Sequence, residues 1–208
     1  MASHPPEART FELFAALLDY PRTDLAAAAE ECADHVAQHS TDAAAALREF
    51  ASFARRTSRA RLEEIYTGLF ELDASHHPYL GYHLFGESYK RSAFLLGLKA
   101  RYRSHGVECG AELPDHLSVV LRFLAVNESP DEARELIEEA LQPALEKMMK
   151  RSAAEPPEPA APETLQPDQE YRGLLRSLEL WIHALAPKDE LVPAIAPGAR
   201  AGGGGTPC

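Results

Sequence analysis

Three histidines close together, His76, His77 and His83, are of a type and spacing that could hold a metal ion. A fourth, His116, directly follows Asp115, an order in which a carboxylate can fix an imidazole tautomer and make a general base. Neither grouping comes with the rest of a catalytic set. No carboxylate or thiolate stands at a matching ligand spacing from the three histidines. Adjacent residues on a helix point about 100° apart, so Asp115 and His116 do not easily bond to each other. GxGxxG, GxxxxGK[ST], GxSxG and HExxH are all absent, which removes the common nucleotide, hydrolase and zinc-protease signatures. A small metal- or ligand-dependent helical enzyme using His76, His77, His83 and His116 is therefore the alternative reading, and binding is the main one.

The binding chemistry lies in carboxylates set among aromatic rings. Tyr79, Tyr82, His83, Leu84 and Phe85 crowd in front of Gly86-Glu87-Ser88, and Glu112, Pro114, Asp115 and His116 form an acidic corner further on. A carboxylate takes a guanidinium through charge-assisted hydrogen bonds, and a ring takes it on its face. A peptide carrying arginines and an apolar run would thus find Glu87, Glu112 and Asp115 for the first, and Tyr66, Phe70, Tyr82 and Phe85 for the second. Each feature also has a plainer reading. The aromatics can plug the end of a bundle, Gly-Glu-Ser can start a helix, and Glu112 with Asp115 can supply the negative charge a helix N-terminus favours. His116 would then only cover the start of the bundle.

The elements that must hold these residues read as helices, because apolar residues recur at three and four positions and rarely alternate. Phe11, Phe14 and Leu18 make one stripe, ended by Pro21. Thr23 and Asp24 can cap a second helix running to about His39. Thr41 and Asp42 can cap a third with Leu47, Phe50 and Phe53. Leu62, Ile65, Tyr66, Leu69 and Phe70 share one face of a fourth. A loop is expected from Asp73 to about Gly86, then a long helix carrying Ala93, Phe94, Leu98 and Tyr102 and stopping near Gly106. Leu113, Leu117, Val120, Leu121 and Leu124 mark the next, with Pro114 in its first turn. Ser129-Pro130-Asp131-Glu132 is a capping box opening a helix that Pro143 should kink.

After Arg151 the composition changes, with five prolines in the sixteen residues SAAEPPEPAAPETLQP. The expected organisation is an all-α, single-domain helical bundle over residues 7–150 and a proline-rich linker over 151–167. A last helix over 168–186, bearing Tyr171, Leu174, Leu178 and Trp181, should pack back on the bundle, and a flexible glycine-rich tail covers 187–208. The 208 residues, 45% hydrophobic and 25% charged, suit one soluble domain. With 21 basic and 32 acidic residues the net charge is -11, which repels nucleic acid and anionic lipid. Cys32, Cys109 and Cys208 form no CxxC pair, and no window of about 18 apolar residues could span a membrane. The expected compartment is the cytoplasm.

Leu69-Phe70-Glu71-Leu72, Gly81-Tyr82-His83-Leu84-Phe85-Gly86-Glu87-Ser88-Tyr89-Lys90-Arg91 and Glu112-Leu113-Pro114-Asp115-His116-Leu117 occur in this order. Together they resemble the NarJ branch of the TorD/DmsD/NarJ redox enzyme maturation chaperones, also called nitrate reductase delta subunits. The likeness covers most of residues 10–150 and is densest over 62–125. It implies an all-helical chaperone with no catalytic residues and no cofactor. Its partner would be the apo catalytic subunit of a molybdopterin oxidoreductase, held by an N-terminal, twin-arginine-like leader until the molybdenum cofactor is inserted. The resemblance places peptide recognition at Pro114, Asp115 and His116, with Glu112 alongside, and places Lys90 and Arg91 at the basic positions after Gly86-Glu87-Ser88. It implies a monomer or weak dimer, and leaves the client open among nitrate, selenate, chlorate, dimethyl sulfide and hydrocarbon oxidoreductases.

Overall fold

The computed structural model describes residues 7–72, 77–154 and 167–185, with side chains over 7–72, 77–150 and 169–185. It is an all-α bundle. The elements are α1 (Ala8–Leu17), α2 (Leu25–Val36), α3 (Thr41–Arg56), α4 (Arg59–Tyr66), α5 (Leu80–Phe85), α6 (Tyr89–Ser104), α7 (Leu117–Val126), α8 (Pro130–Leu136), α9 (Gln142–Ala154) and α10 (Pro167–Leu185). No strand occurs among the described residues.

Helix starts follow the side-chain oxygens that can take an orphan backbone N–H. Asp24, Ser40, Ser58 and Ser129 accept from Ala27, Ala43, Arg61 and Glu132 respectively. Ser40 therefore caps α3, where Thr41 and Asp42 were expected to, and α2 stops at Val36, short of His39. Two helices are interrupted by π turns. One, Thr67–Leu72, extends α4 and leaves Leu69 only partly buried beside Tyr66 and Phe70. The other, Ile137–Leu141, is closed by a Gln142 N–H to Ile137 carbonyl bond just before Pro143, so the proline's disturbance is absorbed as a π turn upstream of the ring.

The core is built on α7, whose Leu117, Val119, Val120, Leu121, Phe123 and Leu124 are all buried. Helix α10 lies against α3 and α1. Its Trp181 meets Phe11 edge-on at 4.9 Å and stacks on Phe14 at 5.5 Å. Its Tyr171 meets Phe50 and Phe70 at 5.1 and 5.3 Å, and the buried Ser177 hydroxyl donates to the Ala43 carbonyl at 2.8 Å. An amphipathic helix of this kind is marginal alone and takes its stability from such packing.

The expected loop before Gly86 contains a helix. Six residues, Leu80–Phe85, close into α5, with Leu80, Gly81 and His83 buried. So short a helix shows too few turns for its period to stand out among aromatic neighbours. Gly86 ends it at φ 61°, a backbone that side chains rarely adopt. The expected first turn at Pro114 is also not helical: α7 begins at Leu117, and Pro114 lies buried ahead of the cap residue, His116. In α6, Ala93 points to solvent, while Leu98 and Tyr102 are buried.

Candidate functional site

The Pro-Asp-His corner is held by backbone first. The Leu80 N–H donates to the Asp115 carbonyl at 2.8 Å and the Leu117 N–H to the Pro78 carbonyl at 2.7 Å, so Pro78–Leu80 and Asp115–Leu117 run antiparallel across one bridge. This pairing brings the aromatic segment and the acidic corner together, although they stand over thirty residues apart in sequence.

Helix α6 then clamps the corner from behind. Arg91 Nε donates to Asp115 Oδ2 at 3.0 Å, and eleven residues along the same helical face the Tyr102 hydroxyl donates to the Pro114 carbonyl at 2.8 Å. The Asp115 side chain is 0% exposed and that of Arg91 19%. Gly81 makes room for this pair, since a methyl group there would lie 2.7 Å from Asp115 Oδ2. The Asp115 carboxylate is thus engaged inside the chain by Arg91, with its second oxygen, Oδ1, buried and without a hydrogen-bond partner.

In front of the corner is a pocket of about 210 Å³ lined by Tyr66, Phe70, Glu71, His77, Pro78, Tyr79, Glu112 and His116. Tyr79 organises it. Its hydroxyl donates to Glu112 Oε2 at 3.1 Å, its ring meets His116 edge-on at 5.3 Å, and the Arg91 guanidinium lies 5.7 Å from the ring centroid. Burial, with Glu112 adding to it, pushes the Tyr79 phenol up to about 12, so it stays a donor. Tyr66 and Phe70 meet at a tilt, 4.9 Å between ring centroids, on the far wall, and the His77 Nδ1 is 3.2 Å from the Phe70 carbonyl.

His116 is 2% exposed and caps α7: its Nδ1 accepts from the Ser118 N–H at 3.2 Å and lies 2.8 Å from the Ser118 hydroxyl. The neutral ring therefore carries its proton on Nε2. Burial holds its pKa below the ordinary 6.5, with Glu112 pulling the other way. The side chains that open into the pocket are thus a neutral imidazole, the Glu112 and Glu71 carboxylates, and the faces and edges of aromatic rings. Such a set takes a cation.

Of the residues singled out in the sequence, Tyr66, Phe70, Glu112 and His116 meet in this pocket, and Pro114 and Asp115 support it from behind. Tyr82 and His83 sit beside it on α5, with the Tyr82 ring 5.3 Å from His77 and 5.5 Å from His83. Phe85 belongs to a second groove, of about 190 Å³, with Leu84, Phe94, Leu98 and Leu136. Glu87 is exposed, and Ser88 precedes α6 without a side-chain capping bond. Tyr79 and Arg91, the two residues tying the site together, were visible only as an aromatic in a loop and a base after Gly-Glu-Ser. Their roles depend on pairings across 24 and 33 residues. His76 lies outside the described residues, and among these no three His, Cys, Asp or Glu side chains stand close enough to hold a metal. Of the other histidines in that grouping, His83 Nε2 is 2.7 Å from the His77 carbonyl, and His116 Nδ1 accepts from the Ser118 N–H.

Comparison with known proteins agrees with this architecture. Residues 34–154 match the model of the nitrate reductase delta subunit family. No curated protein matches the chain significantly. A crystal structure of a protein assigned to redox enzyme maturation in Archaeoglobus fulgidus superposes with a TM-score of 0.51 at 21% identity, covering 86% of this chain and 96% of that one, and shares the fold. This chain belongs to the nitrate reductase delta subunit family. Members of that family are chaperones, not catalysts.

Proposed function

We propose that this chaperone binds the N-terminal, twin-arginine-like leader of a molybdoenzyme catalytic subunit, such as a nitrate reductase alpha subunit. It holds the apoenzyme in the cytoplasm while the molybdenum cofactor is inserted, before export or membrane docking. The observation that carries the reading is the pocket in which Glu112, hydrogen-bonded by Tyr79, faces the Tyr66–Phe70 wall and His116. An arginine of the leader would pair with Glu112 and lie against the rings, at a site less costly to desolvate than a fully buried carboxylate. Asp115 and Arg91 position the corner and do not meet the leader. Among the described residues no helix is long and apolar enough to cross a membrane, which fits a chaperone whose client, and not itself, is delivered there.

The test is the molybdenum content of the client purified from cells with and without this chain. The proposal expects the deletion to leave the client largely cofactor-free and Glu112→Gln to restore loading poorly. Full loading in the deletion strain would overturn it.

A further inference from the structure

Helix α6 has two apolar faces, and among the described residues one of them is packed. Arg91, Phe94, Leu98 and Tyr102 point inward, at spacings of three and four. On the opposite side Tyr89, Ala93, Leu96 and Ala100 are all exposed, with Tyr89 at 80% and Leu96 at 69%. Their spacing is four, three, four, the repeat that keeps a seam facing a neighbouring helix. A helix apolar on two sides has no single inner face.

Gly97 is exposed beside this seam in mid-helix, where glycine costs about 1 kcal/mol relative to alanine. A methyl group there would meet no described atom within 4 Å, so packing within the chain does not call for the glycine. A residue without a side chain, next to Ala93 and Ala100, lets another helix approach closely.

The charge on this face selects what approaches. Helix α6 carries Lys90, Arg91, Lys99, Arg101 and Arg103 and no acid, in a chain whose net charge is -11. Lys90, Lys99 and Arg103 are exposed, and Lys99 and Arg103 flank the seam. A second copy docking α6 on α6 would set basic flank against basic flank, and an arginine-bearing leader would be repelled. We infer that the outer face of α6 docks an acidic amphipathic helix of a partner protein, with apolar residues at three-four spacing and glutamate or aspartate flanks. This surface is distinct from the Glu112 pocket, and the inference does not depend on what that pocket binds.

The test uses the full chain and two designed helical peptides with the same leucine seam, one flanked by glutamates and one by lysines, titrated by calorimetry at low and physiological salt. The glutamate-flanked peptide should bind saturably and weaken with salt, and the lysine-flanked one should give no binding. Leu96→Glu and Gly97→Leu, neither of which meets a close neighbour within the described chain, should each lower the affinity at least tenfold with no loss of thermal stability or of pocket binding, Gly97→Leu raising the melting temperature slightly. Equal binding of both peptides, no binding of either, or undiminished binding by both variants would overturn the inference. So would a wild-type dimer in light scattering that Leu96→Glu converts to monomer, since a second copy would then be the occupant.

Discussion

At the residue scale the site rests on one buried ion pair and one buried imidazole. Removing the cation of a buried pair strands the other charge, which costs about 3–5 kcal/mol, whereas removing both groups costs far less. Arg91→Met should therefore destabilise the chain strongly, and adding Asp115→Asn should recover much of the loss. Denaturant unfolding of the two single variants and the double measures this coupling. Additive losses would mean that Arg91 and Asp115 do not depend on each other. His116 gives a pH dependence of definite sign. Its pKa is lowered in the folded chain, so below about pH 6.5 the unfolded chain binds more protons, and stability falls as pH drops through that value. Protonation would also place a cation beside Glu112. His116→Gln should flatten the dependence of the melting temperature between about pH 7 and 5.5. An unchanged slope would assign it to other groups.

At the element scale, the short α5 and the long α10 depend on different forces. Helix α5 is too short to persist alone and is held by the Pro78–Leu80 bridge and by the close approach of Gly81 to Asp115. Gly81→Ala should displace the Arg91–Asp115 pair and weaken leader binding together with stability. Helix α10 is held by apolar burial, so Trp181→Ala should cost about 3–5 kcal/mol without touching the pocket. Unfolding curves and binding measured on both variants separate the two cases. The long helices were legible in sequence because caps and three-four spacing act locally: Asp24 and Ser129 mark real starts, and Leu62, Ile65, Tyr66 and Phe70 do share a buried face. What was not legible was set by distant pairings. Helix α5 and the non-helical Pro114 exist because two segments bridge. The engagement of Asp115 by Arg91, and not by an outside arginine, follows from how α6 crosses behind the corner. The Glu112 and His116 end of the motif could be read as a binding corner, yet no local pattern places Tyr79 and Tyr66 around it.

At the scale of the whole molecule, a chain of net charge -11 holds a pocket that opens on carboxylates and rings, while helix α6 carries five bases and no acid. The general field would attract the proposed cationic leader over distances near the Debye length, about 8 Å at physiological salt, and its effect on association should fall as salt rises. Specific affinity must come from the pocket. The most direct measurement is calorimetric titration of the full chain with the first thirty or so residues of the client's catalytic subunit, the client identified from the neighbouring genes. The account predicts saturable one-to-one binding that drops at least tenfold, about 1.4 kcal/mol, either when Glu112 is changed to Gln or when the leader's arginines are changed to glutamine. Saturable binding that is indifferent to both changes, or no binding to any molybdoenzyme leader, would contradict it.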